Sequence, residues 1–314
     1  MPAVETESST SPLGTPTPAG CPAVAVLVLN WCNEADTVRC LDSVRRLEYP
    51  SAAPLLIDNG SPDGSGERVA ARFPEVAYLQ TGANLGYTGG NNAGFAWARA
   101  HGADYALVLN NDAELDPACV TRLVELAESD PRLGLVAPKI LDREDRGRVW
   151  YAGGSLSALR ATGVHWREGD PDEPGDDVAP GTRITFATGC CFLISRRALD
   201  AVGGFEPSYF AYNEDVDLSY RLARAGFALA YEPRARVYHR GSPGRPSPFQ
   251  IRMRDRNRRR FARLRLTPAQ RLAFAAWFYP SRLARGLFYA AARDRARAAA
   301  IVSGAFGPLG LEGA

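Results

Sequence analysis

From residue 23 onward the chain alternates short apolar runs with stretches in which apolar residues recur every three or four positions. Ala23 to Leu29 is the first run, and Val38, Leu41, Val44 and Leu47 then share one helical face. Leu55 to Ile57, a short helix near Glu67 to Phe73, Val76 to Leu79, a helix near Asn92 to Ala100 and Tyr105 to Leu109 follow in turn. Strands that are apolar at every position are buried on both faces, so this βαβαβαβ order predicts an α/β fold with a mostly parallel sheet flanked by helices. Pro117 to Ser129 reads as one more helix, with proline at a permitted early position and Leu123, Leu126 and Ala127 turned inward.

Between Asp142 and Gly181 the periodicity fades and Gly, Pro and Asp accumulate, which predicts a long excursion over the mouth of a site. Ile184 to Phe186 and Cys191 to Ile194 resume as strands, and a helix near Arg196 to Val202 ends at Gly203-Gly204. A further helix runs from Glu214 to about Ala225 and stops at Gly226, and Phe227 to Tyr231 is strand-like. Beyond His239 the pattern is helical and basic, and no internal repeat is visible. These boundaries divide the chain into a tail at 1–22, an α/β domain at 23–240 with halves at 23–140 and 141–240, and an Arg-rich helical extension at 241–314.

At 314 residues and 46% apolar, the chain is globular with a sizeable core. Its first twenty residues lack a basic start and an apolar run, so they read as a disordered tail rather than a signal peptide, which places the catalytic part in the cytosol. Six cysteines without a C-x-x-C pair read as reduced thiols, and three scattered histidines do not complete a zinc site. No apolar stretch is long enough to span a membrane.

The net charge of +2 hides an uneven split, because from Arg240 onward sixteen Arg face three acids, a balance of +13 that leaves −11 for the rest. Such a tail is either a solvated helical face that partly neutralises the acidic domain or a surface for anionic head groups or an anionic acceptor. No base-reading motif accompanies the arginines, so nucleic acid is not the expected partner. Arg252 to Arg265 lie beside Leu272 to Tyr279, which holds Phe274, Trp277 and Phe278. That pairing suits a helix lying in a head-group layer or one packed beneath the α/β domain with Trp277 in the core.

Two acidic clusters carry the candidate chemistry. Glu214, Asp215 and Asp217 put three carboxylates in four positions at a helix start, where Asn213 can cap and the acids can complement the dipole. Asn110-Asn111-Asp112 directly follows a predicted strand, where α/β folds place their ligands. One cluster suits a metal and the other proton removal. A dinucleotide site would need glycines directly after the first strand, and this chain has Asn30-Trp31-Cys32-Asn33-Glu34 there, which argues against hydride transfer. Asp58, opening Asp58-Asn59-Gly60-Ser61 after the second strand, is either a turn former or an acceptor for a base or ribose.

Taken together, residues 23 to 240 resemble the inverting glycosyltransferases of family 2, with the GT-A fold. The resemblance rests on Val28-Leu29-Asn30-Trp31, Asp58 with its turn, Asn84-Leu85-Gly86 with Gly89-Gly90-Asn91, and Asn110-Asn111-Asp112 in the place of a D-x-D motif. It continues through Thr188 to Arg196, Gly203-Gly204-Phe205, Asn213 to Leu218 and His239-Arg240-Gly241-Ser242. The wording is nearest to rhamnosyltransferase-like members that act on cell-surface glycans. Cys32 departs from the family's usual Asn, and Asn110 replaces the first Asp of the metal motif with a neutral ligand.

The resemblance implies that Asn30, Trp31, Asp58, Asn84, Gly86, Asn91 and Asn111 bind a nucleotide-sugar, with dTDP-rhamnose the expected donor. Asp112, with Asn110 and His239, would hold Mg2+ or Mn2+, although Asp112 could instead cap a helix and His239 could simply pack. Asp215 would be the general base with Glu214 beside it, and Gly189, Cys190 and Asp217 would lie on the acceptor side. The acceptor would be a glycan or a polyprenyl-diphosphate-linked sugar, met by a cytoplasmic enzyme held peripherally at the inner face of the plasma membrane. The alternative is a catalytically silent GT-A scaffold or carbohydrate-binding subunit.

Overall fold

The computed structural model describes residues 21–173, 175, 178–241 and 244–310, so most of the expected tail lies outside the described residues. The first half is built as its pattern predicts. Strand β1 (Val24–Asn30), helix α1 (Glu34–Val44), β2 (Ala52–Asp58), α2 (Ser65–Arg72), β3 (Ala77–Gln80), α3 (Gly86–Ala100) and β4 (Tyr105–Asn110) alternate, and β1 pairs in parallel with both β2 and β4. The chain moves outward from β1 to β2 and β3 and then crosses back to β4. The crevice at the carboxyl ends of β1 and β4 is therefore the topological switch point, where Asn30 and Asn110 end their strands.

Helix α3 starts at Gly86, well before the expected Asn92. Its glycines read as a loop in sequence, but they serve close packing: a Cβ on Gly90 would come within 2.4 Å of Leu29, and one on Gly94 within 2.6 Å of Ile57. The helix thus lies directly on β1 and β2, at a propensity cost of about 1 kcal/mol per glycine. After the short β5 (Ala113–Leu115), α4 (Cys119–Ser129) begins two residues past Pro117, which belongs to the preceding turn.

The second half makes the sheet mixed. Strand β6 (Leu133–Asp142) is followed by β7 (Val149–Tyr151), by a hairpin of β8 (Gly154–Ser157) and β9 (Thr162–His165), and by β10 (Thr182–Ile184). The expected irregular excursion therefore carries three short strands, and the strand expected at Ile184 to Phe186 lies slightly earlier. Strand β11 (Cys191–Ser195) inserts antiparallel between β4 and β6, ahead of α5 (Arg196–Val202) and α6 (Glu214–Arg224). β12 (Ala228–His239) runs far beyond the expected Tyr231, because Glu232, Arg234 and Arg236 interrupt the apolar pattern at a register shift. Glu232 is buried there and pairs with Arg234 at 2.8 Å.

Helices α7 (Pro248–Arg265), α8 (Pro268–Ala291) and α9 (Arg295–Phe306) complete the chain. α7 and α8 both open with a reciprocal capping box, Ser247 with Gln250 and Thr267 with Gln270, and both place Pro at the first helical position. Phe261, Phe274 and Phe278 join the same core as the sheet, and Trp277 packs half-buried against it. Much of the arginine run works inside the fold: Arg256 donates to the Tyr209 carbonyl, Arg258 to that of Arg160, Arg259 to those of Gly304 and Gly307, and Arg265 to Asp217. Of the two readings for Phe274, Trp277 and Phe278, packing beneath the α/β domain describes these rings, and their burial supplies the core that joins the extension to the domain.

Candidate active site

A cavity of about 830 Å³ opens at the switch point. Trp31, Asn59, Asn84, Gly86 and Asn111 line one wall, and Phe249, Arg252 and Met253 of α7 with Ser303 of α9 line the other. The C-terminal helices thus close over the loops that follow the first strands. Sequence reasoning missed this wall, because nothing in an arginine-rich helix marks which turn faces a distant loop.

The donor-side residues divide by exposure. Trp31 stands 52% exposed, with its ring free to stack. Asn84 Oδ1 accepts from Asn59 Nδ2 at 3.1 Å and from the Gly86 amide at 2.9 Å, which fixes the loop edge. Gly86 has φ +69°, and a Cβ there would come within 2.5 Å of the Phe210 ring. Asn111 donates to Thr37 Oγ1 at 2.8 Å. Asn30 and Asp58 are fully buried, and Asp58 accepts from Asn30 Nδ2, Ser61 Oγ and the Ser61 amide. A base edge would have to displace Ser61 to reach that carboxylate. Asn91 is buried too, donating to the Tyr87 carbonyl at 2.9 Å.

Asp112 lies in the turn after β4, with its carboxylate 3.1 Å from Nε2 of His239 at the end of β12. Burial works against a charged His239, while the Cys190 sulfur and Asp112 work for it, and the balance carries its pKa up to about 10. Burial holds the Cys190 thiol above its usual range. Arg143 and Arg240 flank the turn: Asp36 accepts from both at 3.0 and 2.9 Å, and the Asp112 carbonyl accepts the Arg240 amide. Burial opposes ionisation of Asp36, but the two guanidiniums and Asn33 outweigh it and hold the carboxyl below its usual range.

The second acidic cluster sits at the start of α6. Asn213 does not cap the helix through its side chain; it has φ +73° and donates to the Ala161 carbonyl from the excursion. Phe210 and Tyr212 also have positive φ, at +65° and +69°, a strained backbone that needs outside support. Asn257 of α7 supplies it, donating to the carbonyls of Tyr209, Ala211 and Tyr212 at 3.0, 2.7 and 2.7 Å. Asp217, expected on the acceptor side as an orienting or structural neighbour of the base, is a buried brace between Arg221 and Arg265, each at 2.6 Å. Two guanidiniums and the Tyr209 hydroxyl occupy its oxygens, so none faces a ligand.

Asp215 is half-buried and accepts from the Gly189 amide at 2.9 Å and the Val216 amide at 2.8 Å. Burial raises its pKa, and those two amides restrain the rise. Glu214 is more deeply buried, and burial together with the Asp215 charge pushes it well above the usual carboxylate range. Asp215 therefore ionises before Glu214. The two clusters meet on either side of one turn. Gly189 donates to Asp215, the next residue accepts the Asn110 amide through its carbonyl at 2.9 Å, and that residue's thiol lies against His239. Tyr87, on the cavity wall, donates to the Gly189 carbonyl at 2.5 Å and ties the turn to the cavity.

Among the described residues no group of three or more His, Cys, Asp and Glu side chains converges on a metal position. The Asp112 and His239 pair nonetheless fits a hard ion that takes its other ligands from substrate and water, because adjacent ligands of an octahedral ion at about 2.1 Å lie about 3 Å apart, and ligation would release the proton that His239 Nε2 directs at Asp112.

Known proteins agree with this architecture. Residues 25–203 match the family model for Glycosyl transferase family 2. An N-acetylglucosaminyl-diphospho-decaprenol L-rhamnosyltransferase of Mycobacterium tuberculosis is 35% identical over 206 residues, which cover 59% of this chain and 65% of the relative, just under two thirds of its length. A low-salt glycan biosynthesis hexosyltransferase of Haloferax volcanii is 25% identical over 64% of this chain and 62% of its own. Among solved structures, GalNAc-T7 with UDP, GalNAc and Mn2+ superposes with a TM-score of 0.62 at 17% identity, covering 84% of this chain and 51% of that one. The mannosyltransferase PcManGT from Pyrobaculum calidifontis with GDP-Man and Mn2+ gives a TM-score of 0.56 at 17% identity, over 93% and 88%. With a GT-A arrangement of strands, a switch-point cavity and a family match across more than half its length, this chain belongs to glycosyl transferase family 2.

Proposed function

We propose that this protein transfers a sugar, L-rhamnose from dTDP-rhamnose, to a hydroxyl of a lipid-linked or cell-surface glycan with inversion at the anomeric carbon. The observation that carries the reading is the turn at Gly189 and Cys190, which brings the Asp112 and His239 pair and Asp215 to its two sides. The first is suited to the leaving diphosphate and the second to the attacking hydroxyl. The choice of rhamnose and of a diphospho-lipid acceptor rests on the likeness to the mycobacterial enzyme.

In this mechanism Trp31 stacks on the base, and Asn59, Asn84 and Gly86 shape the wall beside it, while Asn30, Asp58 and Asn91 hold the loops from behind. Asp112 and His239, with Asn110 at the strand end, would hold Mg2+ or Mn2+, which when bound supplies Lewis-acid neutralisation of the diphosphate. Arg240, half-exposed and held by Asp36, adds positive charge at the same edge. Asp215 Oδ2, aimed by the Gly189 amide, takes the proton of the acceptor hydroxyl as it attacks from the face opposite the leaving group. No covalent sugar intermediate is needed, since a single displacement inverts the centre.

A donor screen tests the reading. Thermal shift with nucleotide-sugars, with and without Mn2+, is expected to select dTDP-rhamnose and to need the ion. Selection of a uridine or guanosine donor would contradict the rhamnose assignment, and no response to any nucleotide-sugar would contradict the enzyme.

A further inference from the structure

From Leu272 to Ala291 every exposed residue of α8 is apolar or aromatic. Leu272, Tyr279, Leu283 and Leu287 succeed one another at helical spacing, and Leu272, Leu287 and Phe288 are 74%, 63% and 61% exposed. The opposite side of the helix is already spent on the interior through Phe274, Phe278, Arg282 and Tyr289. Tyr279 meets Phe306 of α9 with ring centroids 5.5 Å apart, so exposed Phe306 and Val302 extend the same patch. No described helix is long and apolar enough to cross a membrane. Contiguous exposed apolar area on this scale marks an interaction surface.

Charge selects the occupant. Between residues 244 and 310 the two carboxylates, Asp255 and Asp294, are spent on Arg282 and Arg297. Arg271 in the first turn of α8 and Arg293 and Arg295 just past its end are exposed and have no carboxylate partner among the described residues. A second copy docked on this face would set cations against cations with no acid to relieve them, whereas an anionic lipid surface meets both the apolar stripe and its basic ends.

We infer that the outer face of α8, extended by Val302 and Phe306, seats this protein on an anionic bilayer surface. The helix lies along the interface and its leucines enter the acyl boundary. Ser303 and Pro308, on either side of Phe306, line the large cavity, so that cavity opens beside the bilayer. If the proposed function holds, a lipid-linked acceptor reaches the site without leaving the membrane; the seating itself does not depend on that reading.

The test is co-flotation of the full chain with phosphatidylcholine vesicles, with and without phosphatidylglycerol, for the wild type and for Leu283→Glu/Leu287→Glu. These side chains already face solvent, so the double variant keeps its fold, checked by an unchanged melt. Flotation with the anionic vesicles alone, weakened by salt and reduced about tenfold or more in the variant, is the expected result. Equal flotation of the variant, or none of the wild type with anionic vesicles, overturns the inference. A wild-type dimer in vesicle-free solution that the double variant dissociates overturns it too, by making the face a self-association surface. Donor binding read by thermal shift is unaffected by the variant, so a failure of seating and a failure of the proposed chemistry are distinguishable.

Discussion

At the scale of single residues, the account rests on how two adjacent carboxylates divide their roles. Asp215 receives two amide hydrogen bonds and Glu214 is the more buried, so the first loses its proton at lower pH than the second. A base acts only when deprotonated, and burial raises its pKa, so activity falls as pH drops through a value above the ordinary carboxylate range. The acid limb of the kcat/KM profile is expected there. Asp215→Asn should cut transfer by roughly 10²-fold or more with donor binding kept. Glu214→Gln imitates the protonated acid and should leave the limb in place; its loss of activity to the level of Asp215→Asn would reverse the two roles. Asp112→Ala should remove the Mn2+ dependence of donor stabilisation in a melt, and an unchanged response would move the ion elsewhere.

At the scale of elements, α7 holds the strained approach to α6. Asn257→Ala would strand the carbonyls of Ala211 and Tyr212, which costs about 1–3 kcal/mol and loosens the loop that aims Asp215. A fall in kcat of about tenfold or more with little change in donor KM is the expected split, and unchanged kcat at a lowered Tm would make Asn257 merely structural. The elements themselves were unevenly legible. The parallel strands β1, β2 and β4 were readable because burial on both faces makes them apolar throughout. The first turns of α3 were hidden by glycines that serve its close approach to β1 and β2, and the far half of β12 by charges that only the folded register neutralises. Asp112 and Asp215 stood out as acids in clusters, and Gly189 and Arg240 fall in motifs of the family resemblance, but Asp36 and Asn257, which also position the site, carry no local signal because each acts across a long loop of chain.

At the scale of the whole molecule, the Arg-rich extension shares one core with the sheet through Phe261, Phe274 and Phe278, and its helices form a wall of the cavity. It is therefore expected to unfold with the α/β domain in one calorimetric transition, and a separate early endotherm would show the extension to be an independent unit. The central claim is that the two acidic clusters on either side of Gly189 and Cys190 carry out sugar transfer. Its most direct test is mass spectrometry of a synthetic N-acetylglucosaminyl-diphospho-lipid incubated with dTDP-rhamnose, Mn2+ and either the wild type or Asp215→Asn. Addition of one deoxyhexose by the wild type and almost none by the variant is the predicted result. Equal product from both proteins would contradict the account, as would no product from a wild type that binds the donor.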